Sequence, residues 1–150
     1  MKKILFLLLL TVVFGACESD TDSNWNNRPG GNSDDTQNWD SYVITVKNWE
    51  RIGGVNADNS FFRCVVEDEY LDQYIFDKVS VMVYLIQYDG DVPVQTPLPY
   101  VMHYADGDNL WTETFSYDYS VGSFAFYVTY SDFFTENSPG ECQFKVVMHW

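Results

Sequence analysis

The stretch "SYVITVKNW" (residues 41–49) alternates strictly, with Tyr42, Ile44 and Val46 on one side and Val43, Thr45 and Lys47 on the other. A period of two is the pattern of a strand with one face on a core, and it recurs along most of the chain that follows. "RIGGVNADN" then reads as a loop, because an Asn-Ala-Asp-Asn cluster follows paired glycines. "SFFRCVVE" (60–67) sets Phe62, Cys64 and Val66 against Phe61, Arg63 and Val65, and is expected to return antiparallel to the first strand. "DEYLDQYIFDK" (68–78) is the exception. Leu71, Tyr74 and Ile75 stand at i, i+3 and i+4, which predicts a crossover carrying one helical turn.

"VSVMVYLIQY" (79–88) is apolar on both faces, the pattern of a central strand covered on each side. "DGDVP" ends it with turn chemistry, and "QTPLPYVMHY" (95–104) follows as a strand whose Pro97 and Pro99 confine its first half to an edge or a bulge. "ADGDN" is a second hairpin turn before "LWTETFSYDY" (110–119), "SFAFYVTYSD" (123–132) and "CQFKVVMHW" (142–150). Strands at this spacing, with turns between them and almost no helix, predict an all-β fold. The expectation is a single antiparallel β-sandwich of about seven strands over residues 39–150, Ig-like in topology, with a Greek-key barrel as the alternative. Those 112 residues make one domain of ordinary size. The chain's 11 Phe, 11 Tyr and 5 Trp are ample for a core about 10 Å thick between two sheets.

The N-terminus has a different grammar. "MKK" is followed by the apolar run "ILFLLLLTVVF" and the small pair Gly15 and Ala16. The run is shorter than the roughly 20 residues of a membrane span, so residues 1–16 read as a cleaved signal peptide. Cys17, directly after the small pair, resembles the lipobox of bacterial lipoproteins, with Phe14 where that family usually has Leu. The resemblance implies that Cys17 becomes the acylated first residue. Several acyl chains would anchor the protein without a transmembrane helix.

Residues 17–38 hold one aromatic and no aliphatic residue after the cysteine, and read as a disordered acidic tether with a reach of roughly 25 Å. Within it Glu18, Asp20 and Asp22 resemble the signal that exports lipoproteins of Bacteroidota-type bacteria to the outer face of the outer membrane. The order "VSVMVYL", "PLPY", "GSFAFYVTYSD" and "FKVV" resembles small lipoproteins of gut and oral Bacteroidota. That resemblance implies fold and location, at the cell outer membrane facing the exterior, and brings no catalytic residues with it.

Without residues 1–16 the chain has 134 residues (150 − 16), with 6 basic and 22 acidic side chains, a formal charge of −16 (6 − 22). Nucleic acid is excluded as a partner, since phosphate contacts need clustered Lys and Arg. The partners expected are the membrane, through the N-terminal lipid, and an unidentified protein or glycan.

No cofactor and no metal are expected. "DTDSN" (20–24) begins like a calcium loop, but Trp25 and Gly31 stand where such a loop needs Gly and Glu. His103 and His149 are the only histidines, and no H-E-x-x-H or C-x-x-C spacing occurs. Ser123 in "VGSFA" lacks the second glycine of a nucleophile elbow, and "EDE" (67–69) supplies charge with no sign of a cleft. The chain is therefore expected to be no enzyme.

Cys64 and Cys142 both lie on strands in a compartment that permits disulfides. A bridge between them would close a loop of nearly 80 residues, worth on the order of 4 kcal/mol; buried thiols are the other reading. Trp49, Tyr104 and Trp111 are candidate ligand-binding aromatics, because sugars stack on such rings, although large aromatics more often fill cores. Two functions stand: an adhesion or assembly module that binds protein through an edge strand or loop ends, and a glycan-binding accessory protein. Three coplanar exposed rings would favour sugar, and their complete burial would exclude it.

Overall fold

The computed structural model describes residues 19–22 and 38–150. The expected signal peptide, Cys17 and the rest of the expected tether lie outside the described residues. In chain order the elements are β1 (Ser19–Asp22), β2 (Trp39–Val46), β3 (Glu50–Ile52), β4 (Phe61–Glu67), α1 (Gln73–Lys78), β5 (Ser80–Asp89), β6 (Val92–Pro97), β7 (Tyr100–Asp106), β8 (Asn109–Ser120), β9 (Ser123–Tyr130) and β10 (Cys142–His149). They form two five-stranded sheets, ordered β1-β2-β10-β5-β6 and β3-β4-β9-β8-β7. Every pairing is antiparallel.

The protein is an all-β sandwich, as the alternation predicts. An Ig-like strand order does not follow from these pairings.

The core forms where the apolar faces meet. Tyr42, Ile44 and Val46 of β2 are buried, as are Phe62, Cys64 and Val66 of β4 and Phe124, Phe126 and Val128 of β9. Phe126 of one sheet stacks on Phe144 of the other, with ring centroids 4.3 Å apart and planes 16° from parallel. This is the closest ring pair in the molecule among the described residues, and it ties the two layers at their centre.

At one end of the sandwich the buried Asp68 accepts a hydrogen bond from the Tyr42 hydroxyl. Its other oxygen accepts from the Tyr70 N–H at 2.9 Å, and its own N–H donates to the Gly122 carbonyl at 2.9 Å. One carboxylate thus joins β2 to the segment after β4.

Several expectations are corrected. All seven expected strands are present, but β1, β3 and β6 bring the number among the described residues to ten. β2 and β4 are not neighbours: β2 pairs with β1 and β10, and β4 with β3 and β9. Alternation fixes which side of a strand faces the core, not which strand lies beside it. The first two residues of the "RIGGVNADN" loop, Arg51 and Ile52, belong to β3. The expected strand 95–104 is two strands, since Pro97 ends β6 in one sheet and β7 begins at Tyr100 in the other.

β5 is covered on one face only. Val81, Val83 and Leu85 are buried while Met82 is 44 % exposed. Tyr84 and Ile86 are half-buried on that outer face, beside cross-strand neighbours such as Pro97 and Gln95. The helical turn is present as α1, capped by Asp72, whose carboxylate accepts from the Ile75 N–H at 2.8 Å. Ile75 of α1 and Leu71 just before its cap pack inward, with Tyr74 left exposed.

Part of the expected tether is strand. Ser19–Asp22 pairs with β2, whose outer edge offers backbone donors and acceptors that need no apolar side chain to satisfy.

Cys64 and Cys142 are unbridged. Cys64 lies opposite Phe126, level with the Phe126–Phe144 stack, whereas Cys142 is two residues before Phe144 in the other sheet. That offset is about 7 Å along the strand, beyond what a disulfide's geometry joins once the distance between sheets is added.

Candidate functional site

At the opposite end from Asp68 the core opens. The period of two puts Trp111, Glu113 and Phe115 on the inner face of β8, Met102 and Tyr104 on that of β7, and Tyr130 beyond Val128 on β9. Phe115 is buried, Glu113 and Trp111 are half-buried, and Tyr104 is 37 % exposed, so burial grades away toward the end of the sandwich.

Tyr104 and Trp111 are direct cross-strand partners, and their rings stack 5.3 Å apart with planes 16° from parallel. The Glu113 carboxylate is held on both oxygens. Tyr104 donates to Oε2 at 3.0 Å and Tyr130 to Oε1 at 2.9 Å. Tyr130 is braced in turn by an edge-to-face contact with Phe62, centroids 6.4 Å apart.

Burial and the bond to Glu113 push the Tyr104 pKa up to about 12, and push Tyr130 well above the ordinary tyrosine value for the same reasons. Both hydroxyls are therefore donors throughout the neutral range.

Cys142 and Trp49 stand at the same end. The Cys142 thiol lies 3.6 Å from the Gly140 carbonyl, and the Trp49 indole N–H donates to that carbonyl at 3.1 Å. Burial first, then the charges of Glu113 and Glu141, push the Cys142 thiol up to about 11. It is a weak nucleophile at neutral pH.

The fold thus gathers Trp49, Tyr104, Trp111 and Cys142 at one end and leaves Cys64 in the central core. It does not make a row of three open rings. Tyr104 and Trp111 each cover a face of the other, and the half-buried Trp49 meets Phe144 edge-on at 6.3 Å and 76°. Neither the three coplanar exposed rings that would favour sugar nor the complete burial that would exclude it is formed.

Glu113 and Tyr130 are functional candidates that the sequence reading passed over. The signal was available: in "LWTETFSYDY" Glu113 is in register with Trp111, Phe115 and Tyr117, an acid on a core-type face.

Among the described residues no group of three or more His, Cys, Asp or Glu could hold a metal ion. His103 points away from the cluster, on the outer face of β7, and His149 is opposite Trp39 and Ser80 at the far end of β10.

The charge of strands β5 to β9 is one-sided. Between Lys78 and Lys145 there are nine Asp and Glu and not one Lys or Arg. β5 through β9 carry neither Lys nor Arg.

No protein-family model matches this chain, and no curated protein or solved structure matches it significantly.

Proposed function

We propose that the chain is an outer-membrane lipoprotein, held by acyl chains on Cys17 and facing the cell exterior, whose sandwich binds another protein and performs no catalysis. The anchor rests on the apolar run, the small pair and Cys17 in "MKKILFLLLLTVVFGAC". Among the described residues no helix is long and apolar enough to cross a membrane.

The binding role rests on Glu113. Both of its oxygens are engaged by tyrosine hydroxyls whose pKa values lie far above neutrality. General acid–base chemistry works best with groups that titrate near the operating pH, whereas a carboxylate fixed by permanent donors next to a stacked ring pair is a recognition surface. Glycan binding is the alternative, supported by the exposed outer face of Tyr104.

The test uses residues 17–150 carrying Cys17→Ser on an array of glycans and of peptides of graded charge. Retention of peptides, lost with Glu113→Gln and with Trp111→Ala, supports the protein-binding role. Retention of glycans lost with Trp111→Ala moves the assignment to sugar, and no retention of either removes the binding role. For the anchor, the full chain is expressed with radiolabelled palmitate. Cys17→Ser is expected to lose label and leave the membrane; a membrane-bound, unlabelled variant refutes the lipoprotein assignment.

A further inference from the structure

Among the described residues the sandwich has four outer strands, and three of them are guarded. β1 is four residues long with two aspartates. β3 is three residues long, and Arg51 in it donates to the Thr135 carbonyl at 3.1 Å, which ties the 131–141 segment against it.

β6 is guarded by its prolines. Asp89 and Val92 close a two-residue hairpin around Gly90–Asp91, with Gly90 at φ +61°. A closing pair of this kind exchanges backbone hydrogen bonds, so every second residue from Val92 bonds to β5. The Leu98 N–H, donated to the Val83 carbonyl at 2.9 Å, keeps that parity. The residues turned outward are then Pro93, Gln95 and Pro97, and two of the three have no N–H to offer.

β7 is built on the same parity without the guard. Asp106 and Asn109 close a two-residue hairpin around Gly107–Asp108, with Gly107 at φ +60°. Tyr100, Met102, Tyr104 and Asp106 bond to β8, and Val101, His103 and Ala105 turn their N–H and C=O groups to the open edge. None of the three is proline, Val101 is 44 % exposed, and His103 and Ala105 are exposed. Among the described residues no backbone hydrogen bond joins these three to any other segment.

We propose that the open edge of β7 takes up an extended, basic segment of a partner protein as an added strand. This rests on the protein-binding role above and gives it a mode and a chemistry. Backbone pairing supplies the attachment. Side chains of the incoming strand on the inner face would lie beside Tyr104, within the field of Glu113, Asp106 and Asp108. Charge complementarity selects a Lys- or Arg-bearing segment, since the whole of β5 through β9 lacks either residue. A second copy is disfavoured by the formal charge of −16 that residues 17–150 carry (6 − 22).

The probe is the acetylated, amidated peptide Lys-Val-Lys-Thr-Lys-Val-Lys-Thr and its counterpart with Glu for Lys, added to 15N-labelled residues 17–150 carrying Cys17→Ser. The basic peptide is expected to slow amide exchange at Val101, His103 and Ala105 at least tenfold, to leave Met102 and Tyr104 unchanged, and to lose affinity as salt rises. His103→Pro, which removes no bond to β8, is expected to weaken binding at least tenfold while the β7–β8 pairing persists.

Protection elsewhere, equal protection by the acidic peptide, or unchanged affinity in a folded His103→Pro chain overturns the proposal and leaves the protein-binding role standing. Concentration-dependent protection of the three amides without peptide, with a dimer mass, assigns the edge to a second copy instead. The exchange pattern of the unaltered chain decides the matter even where the proline variant does not fold.

Discussion

Tyr42→Phe removes one oxygen and almost nothing else. The ring keeps its place on the core face of β2, so little apolar burial is lost, and the change falls on the bond to Asp68. Asp68 is 7 % exposed, and water has poor access to the oxygen that loses its donor. A hydrogen bond to a charged, buried acceptor contributes about 1.5–3 kcal/mol. For a domain of this size that lowers Tm by roughly 5–12 °C. The carboxylate keeps the Tyr70 N–H, which caps the loss at the value of a single bond.

Urea unfolding followed by tryptophan fluorescence measures it, with the midpoint moving and the slope unchanged. A double-mutant cycle with Asp68→Asn separates the pair from the rest and is expected to show a coupling of at least 1 kcal/mol. A Tm change under about 2 °C, or a coupling near zero, would refute the assignment of Asp68 as a carboxylate held by β2.

Phe126→Ala deletes the ring at the centre of the Phe124–Phe126–Phe144 stack and should cost about 3–5 kcal/mol in the same urea assay. Alkaline stability follows from six groups whose folded pKa values are raised, Tyr42 and Tyr130 strongly, Tyr104 to about 12, Cys142 to about 11, and Tyr117 and Tyr127 upward as well. Raised values give stability that is complete below the unfolded pKa and lost as pH rises through the folded one. Tm should therefore hold to about pH 9 and fall from there upward, and a flat profile to pH 12 would contradict the buried hydroxyls. In the Cys17→Ser chain, thiol titration with Ellman's reagent at pH 7 should be slow when native and should count Cys64 and Cys142 as two thiols in guanidinium; a count of zero would mean that they are bridged. Gly107→Ala should cost about 1 kcal/mol, because φ is +60° with open space around it, and Gly107→Asn distinctly less.

The sheets were legible because segments such as 41–49, 60–67 and 110–119 alternate clearly enough to read as strands with one apolar side. Phe62, Cys64 and Val66 are buried as the pattern requires. Neighbours were not legible. The first two expected runs, β2 and β4, went to different sheets, since the corner from Lys47 to Trp49 carries no marker that tells a hairpin from a change of layer.

Short strands escaped for a different reason. β3 spans three residues, and β6 is six residues with two prolines and the polar pair Gln95 and Thr96, so neither shows a periodicity that can be counted. The aromatic members of the site were visible as residue types, yet their stacking depended on the β7–β8 register, which two turn residues set. Glu113 went unremarked because its partners Tyr104 and Tyr130 come from two other strands, and proximity of that kind is written only in the fold.

The long interval without Lys or Arg has a practical side. Trypsin finds no site after Lys78 until Lys145, so one large peptide from Val79 to Lys145 carries β5, the open edge of β7 and the Glu113 cluster together. Amine-reactive cross-linkers are blind to the same face, for it holds no lysine to react. A carbodiimide that couples a neighbour's lysines directly to carboxylates such as Asp106 and Asp108 is matched to it, and would record a basic strand on β7 as a covalent bond.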